Sequence, residues 1–107
     1  MAARLWHPQP LRVVLTTTAT TELVPASKNQ QPIGKIYLCN TTAAAVTIEL
    51  EVFDGTTSFF IEKGRSIPAN GSFELRDELL QANHSLRAKA SAANAIHAHI
   101  IAALTFR

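Results

Sequence analysis

The segment Val46–Phe53 alternates without a break. Val46, Ile48, Leu50 and Val52 fall on one side, and Thr47, Glu49, Glu51 and Phe53 on the other. Side chains of a strand point alternately to its two faces, so this pattern predicts a half-buried antiparallel strand. The same period runs through residues 11–21, 33–40, 58–63, 73–75, 86–91 and 96–104. Turn residues separate these runs. Asp54-Gly55 suits positive φ in a hairpin, and Pro68-Ala69-Asn70-Gly71 combines a preset φ with a reversal. Residues 22–32, with Pro25, Asn29 and Pro32, read as a loop. Residues 76–81 read as a single helical turn.

One stretch competes. Residues 82–103 are rich in alanine, the best helix former. Asn83, Ser85, Ser91 and Asn94 interrupt it, however, and Leu86, Ala88, Ala90 and then Ile96, Ala98, Ile100 alternate by two rather than by three and four. Two strands joined near Asn94 fit better. The expectation is an all-β chain, a small antiparallel β-sandwich of jelly-roll or Ig-like type with about seven strands. Residues 11–107 form its single domain. Residues 1–10 form an extended N-terminal arm, because Pro8 and Pro10 disfavour both helix and central strand. Leu5 and Trp6 in that arm need cover, either from their own domain or from a neighbouring subunit.

Composition narrows the function. The ten Lys and Arg residues exceed Asp and Glu by two and are scattered along the chain, which argues against a nucleic-acid stripe. Cys39 is the single cysteine, so no intrachain disulfide forms; it reads as a buried structural residue. The first fifteen residues lack the apolar core of a signal peptide, and no run approaches the ~18 apolar residues of a membrane helix. No nucleophile motif or phosphate-binding glycine loop occurs. The reading is a protein with no catalytic residue, cofactor, metal or membrane partner.

Three patterns merit weighing. His97 and His99 share a strand face, and two imidazoles fall short of a zinc site without a third ligand. They read as an outward polar face, or as part of a subunit contact made pH-sensitive by imidazole titration. Glu49 and Glu51 also share a face and read as solvated neighbours rather than a glycosidase pair. Apolar side chains on outward positions carry more weight. Val14, Phe53, Phe60, Ile101 and Ala103 alternate away from the core set, and contiguous exposed apolar surface marks contact sites. Only 17% of the residues are charged, which fits a surface partly covered by neighbours. The candidate interface is therefore Leu5, Trp6, Val14, Phe53, Phe60, His97, His99 and Ile101.

Ile36-Tyr37-Leu38-Cys39-Asn40-Thr41, Ile67-Pro68-Ala69-Asn70-Gly71-Ser72 and Leu86-Arg87-Ala88-Lys89-Ala90-Ser91 follow one another in this order. That order resembles the small β-sandwich virion proteins of tailed bacteriophages, over about residues 33–104. Asn83-His84 replaces the Gly-Asp turn usual there, and His97 and His99 are further departures. The resemblance implies a non-catalytic building block on the neck, tail or capsid, assembled with copies of itself as a trimer or ring. It would be made in the host cytoplasm and located in the virion, with other virion proteins as partners. The alternative is a carbohydrate-binding β-sandwich for cell-surface attachment, with Tyr37, Phe53 or Phe60 as its sugar platform.

Overall fold

The computed structural model describes residues 11–102. Eight strands follow in order: β1 (Leu11–Val14), β2 (Thr21–Val24), β3 (Gln31–Asn40), β4 (Val46–Phe53), β5 (Ser58–Ile67), β6 (Ser72–Leu80), β7 (Ser85–Ala90) and β8 (Ile96–Ala102). They form two four-stranded sheets, with orders β1-β8-β3-β6 and β2-β7-β4-β5. Every pairing is antiparallel.

The topology is one long hairpin rolled up. The Asp54–Thr57 turn joins β4 to β5, and outward from it β3 pairs β6, β2 pairs β7 and β1 pairs β8. Rolling adds the β3–β8 and β4–β7 pairs and closes two sheets over one core. This is the jelly-roll order, which decides between the two sandwich types the sequence leaves open. At the turn, the Asp54 carboxylate accepts the N–H groups of Thr56 at 2.8 Å and Thr57 at 2.7 Å. Gly55 takes φ +101°, as a hairpin tip requires. Asn70, rather than Gly71, takes the positive φ in the 68–71 turn.

The expected alternation defines the core. Leu38, Ile36, Ala98 and Ile100 of one sheet face Ile48, Leu50, Ala88 and Ala90 of the other, all at 1% exposure or less. Alanine therefore serves in strands β7 and β8 as a small core residue beside large partners. Ala88 lies opposite Leu50, and Ala98 opposite Leu38. The alanine-rich segment is two strands, as its period predicts.

Four expectations need correction. Residues 22–24 are not loop: Leu23 and Val24 are buried and, with Thr21, make β2, the eighth strand. The strand before it, β1, stops at Val14 rather than running to Thr21. Residues 76–80 are strand, not a helical turn. Asp77 takes φ +59°, and the buried side changes there from Phe73 and Leu75 to Leu80. Cys39 is half-buried on an outer face, opposite His97, instead of lying in the core.

One end of the sandwich is sealed by hydrogen bonds between its connections. Asn40 is completely buried there. Its side-chain amide donates to the carbonyls of Ala44 at 2.8 Å, Ile67 at 3.0 Å and Pro68 at 3.2 Å. Its side-chain oxygen accepts from the Thr42 hydroxyl and N–H, at 2.7 and 3.0 Å. One side chain thus ties the β3–β4 turn to the β5–β6 turn. Asn40→Ala is expected to cost roughly 2–3 kcal/mol, because buried carbonyls lose their donor. Urea unfolding measures this; a loss under about 0.5 kcal/mol, the range of ordinary surface changes, would contradict the role.

Candidate interaction surface

Register places the candidate residues on two opposite faces. On the outer face of sheet β1-β8-β3-β6, one row reads Val14, His97, Cys39, Ser72, and the next reads Arg12, His99, Tyr37, Glu74. A third row holds Ile101, Lys35 and Arg76. Val14, His97, His99 and Ile101 therefore come together on β1 and β8. The β3–β6 half of this face is charged. The Lys35 ammonium donates to the Tyr37 hydroxyl at 3.1 Å and lies 4.0 Å from Glu74, which also pairs with Arg76. The Arg76 hydrogen bond, aided by nearby positive charge, holds the Glu74 carboxyl below its ordinary value. Leu5 and Trp6 lie outside the described residues.

Phe53 and Phe60 sit on the other sheet, around a cluster the sequence does not reveal. Glu51 points outward yet is only 4% exposed, so the expectation of two solvated glutamates holds for neither its burial nor its partners. The Arg87 guanidinium donates to Glu51 at 2.5 and 3.0 Å, and the Ser58 hydroxyl donates at 2.6 Å. Arg87 also lies over the Phe53 ring, 3.9 Å from its centre. Burial raises the Glu51 carboxyl's proton affinity. The Ser58 and Arg87 hydrogen bonds outweigh burial and leave it below the ordinary 4.5. Three different strands contribute, which is why spacing along the chain conceals the cluster.

The aromatic side chains weighed as a sugar platform each carry a cation. Lys35 lies 5.2 Å from the Tyr37 ring, Arg87 3.9 Å from Phe53 and Lys63 4.5 Å from Phe60. Stacking of a sugar would compete with these contacts. A shallow groove of about 230 Å³ opens where the bulge at Gly64 lifts β5, lined by Thr47, Glu49, Lys89 and Ser91 among others. Among the described residues no three His, Cys, Asp or Glu side chains converge as metal ligands.

Exposed large apolar side chains show the strongest asymmetry. They are Val14, Phe59, Phe60, Leu79 and Ile101, at 41, 54, 44, 52 and 39% exposure. All but Val14 lie within three residues of a strand terminus at one end of the sandwich, opposite the Asn40 end. Phe59 shares a face with Val52, but β5 is an edge strand whose register shifts between Ile48 and Glu49 and again between Leu50 and Glu51, and nothing among the described residues covers its ring. Leu79 is missed by any reading that makes 76–81 helical. A signal was present: each exposed residue belongs to an apolar doublet, Val13-Val14, Phe59-Phe60, Leu79-Leu80 or Ile100-Ile101. In a period-two strand, adjacent apolar residues cannot both face the core.

No protein-family model matches the chain, and a search of curated proteins finds no relative.

Arg87→Met should destabilise the domain by about 3 kcal/mol at neutral pH, because it leaves the Glu51 carboxylate buried and unpaired. Glu51→Gln with Arg87→Met should cost less than Arg87→Met alone. In the native chain the Glu51 contribution is complete above 4.5 and is lost as pH falls through the lowered folded value. Urea titrations across that range should give a flatter acid profile for Glu51→Gln than for the native chain.

Proposed function

We propose that this chain is a structural subunit that assembles with copies of itself, as a virion protein of a tailed bacteriophage on the neck, tail or capsid. The observation that carries this reading is the exposure of Phe59, Phe60, Leu79 and Ile101 near strand termini at one end of the sandwich, with Phe60 on one outer face and Leu79 and Ile101 on the other. Large apolar side chains left open on several strands mark surfaces that contacts can cover. The order of sequence motifs that resembles phage sandwich proteins supports the particle assignment. The work is mechanical: the sandwich supplies a rigid block, and its apolar end and the β1–β8 outer face supply contacts. A sugar-binding role has less support, because the rings of Tyr37, Phe53 and Phe60 already hold cations.

Two measurements test the reading. Native mass spectrometry and light scattering at high micromolar concentration should give a discrete oligomer; a monomer would overturn self-assembly. Purified particles from a lysate expressing the gene should contain the chain in several copies each; its absence would overturn the virion assignment. The histidines give a further outcome. His97 is flanked by Val14 and Cys39, and His99 by Arg12 and Tyr37. If that face is the subunit contact, the charge-introducing double variant His97→Lys with His99→Lys should lower the oligomer mass at fixed pH, because it adds like charge beside Arg12.

A further inference from the structure

The 68–71 turn requires two residues that can react with each other. Asn70 stands at φ 57°, in the left-handed region that asparagine tolerates better than most residues. Gly71 has no room for a side chain. A β-carbon there would lie 2.8 Å from the Pro68 ring and 3.1 Å from the Pro68 carbonyl oxygen. The turn therefore selects Asn-Gly, and the chain holds this pair once: Asn29, Asn40, Asn83 and Asn94 precede Gln30, Thr41, His84 and Ala95. A glycine after asparagine leaves the next backbone nitrogen unshielded, because it has no β-carbon to obstruct attack on the asparagine side-chain carbon. Asn70 is exposed, so water reaches it.

We propose that Asn70 is a modification site, at which the side-chain amide is converted to a carboxyl, and that the hydrogen bonds of the sealed end gate the conversion. The step needs only water. The Gly71 nitrogen gives its proton to solvent, and its electron pair forms a bond to Asn70 Cγ. The Cγ–Nδ2 bond breaks, and that nitrogen takes up a proton and leaves as ammonia. Water then opens the five-membered imide at one of its two carbonyls. Cleavage between Cγ and the ring nitrogen leaves an aspartate. Cleavage between the main-chain carbonyl and the nitrogen leaves an isoaspartate, whose backbone is one carbon longer. Either product adds one negative charge to a chain of net charge +2. The folded turn holds the reactants apart. In the left-handed region ψ is positive, which turns the Gly71 nitrogen away from the Asn70 side chain. Gly71 N–H donates to the Pro68 carbonyl at 2.9 Å, the Gly71 carbonyl accepts from Asn40 N–H at 2.9 Å, and Asn70 N–H donates to the Thr42 carbonyl at 3.1 Å. The Asn40 side-chain amide also holds the Ile67 and Pro68 carbonyls. Ring closure needs rotation about ψ of Asn70, which breaks the Gly71 bonds, so it proceeds from a locally opened turn. The longer isoaspartate link cannot restore the native spacing, so a converted turn stays loosened where β6 begins and Ser72 pairs with Cys39.

The test is incubation of the full chain at mildly alkaline pH, with and without denaturing urea. Isoelectric focusing follows the acidic product, and peptide mass spectrometry locates it. In urea, conversion should occur at Asn70 before Asn29, Asn40, Asn83 or Asn94, and should give both aspartate and isoaspartate. In native buffer the rate at Asn70 should be at least about tenfold lower, because opening of the turn limits it. This comparison needs no variant. Thr42→Val removes the hydroxyl that donates to the Asn40 side-chain oxygen at 2.7 Å and should raise the native rate several-fold. Circular dichroism checks that this variant is folded. Asn70→Gly keeps a residue suited to positive φ and should abolish the first acidic species. Equal rates at Asn70 in native buffer and in urea would show that the fold does not gate the step, and would overturn the proposal. Earlier conversion at another asparagine, or none at Asn70 in urea, would overturn the site. An unchanged native rate in folded Thr42→Val would take control away from the Asn40 network and overturn the gate.

Discussion

A shift of one residue in the ladder that starts at the Asp54–Thr57 turn would carry every core side chain of β4 to solvent. The rest of the molecule depends on that register. The turn fixes Phe53 opposite Ser58, β4 then aligns Leu50 with Ala88 of β7, and β3 aligns Leu38 with both Phe73 and Ala98. Two slips on β5 leave Gly64 and Ile61 without partners opposite β4. They fall on an edge strand, where a bulge twists the exposed backbone and discourages pairing with another sheet. The bulged edge therefore disfavours strand addition.

The two ends of the sandwich answer different physical demands. Every backbone polar group buried in a connection needs a partner. At the end with four connections, Asn40 and the Thr41, Asn70 and Asn94 amides meet that demand from within the chain. The other end has three connections and both boundaries of the described chain, so fewer loops are available to cover the rims of the sheets. Val52 and Phe59 show the result: their row is fully buried at Leu86 and opens toward the β5 edge.

Alternation made most of the fold legible. It located six of the eight strands in substance and identified the alanines of β7 and β8 as strand residues despite their helical preference. It failed where period was broken or too short. β2 has four residues, and its pairing shifts register between Glu22 and Val24, so no alternation survives to be read. β6 changes its buried side at Asp77, and the break imitates a helical turn. The candidate surface was legible in part. The outward places of Val14, Phe60 and Ile101 follow from their neighbours. Glu51 does not, because its burial is produced by Arg87, thirty-six positions away, and by Ser58 across the hairpin.

Cation contacts help to explain how a chain with so few charges tolerates exposed aromatic rings. Lys63 lies against Phe60, and Arg65 against Phe73. Such contacts are worth about 0.5–1 kcal/mol at exposed sites, and the aliphatic stems of the cations cover part of each ring. Among the described contacts Phe59 and Leu79 have no such cover, although they are the most exposed large apolar residues. Partial cover beside open surface suits a contact that forms reversibly. Phe60 is tolerable in water, while Phe59 and Leu79 retain the full hydrophobic incentive to be buried. The same division describes how the few charges are used: cations lie on some rings, and Phe59 and Leu79 are left bare near strand termini at one end of the sandwich.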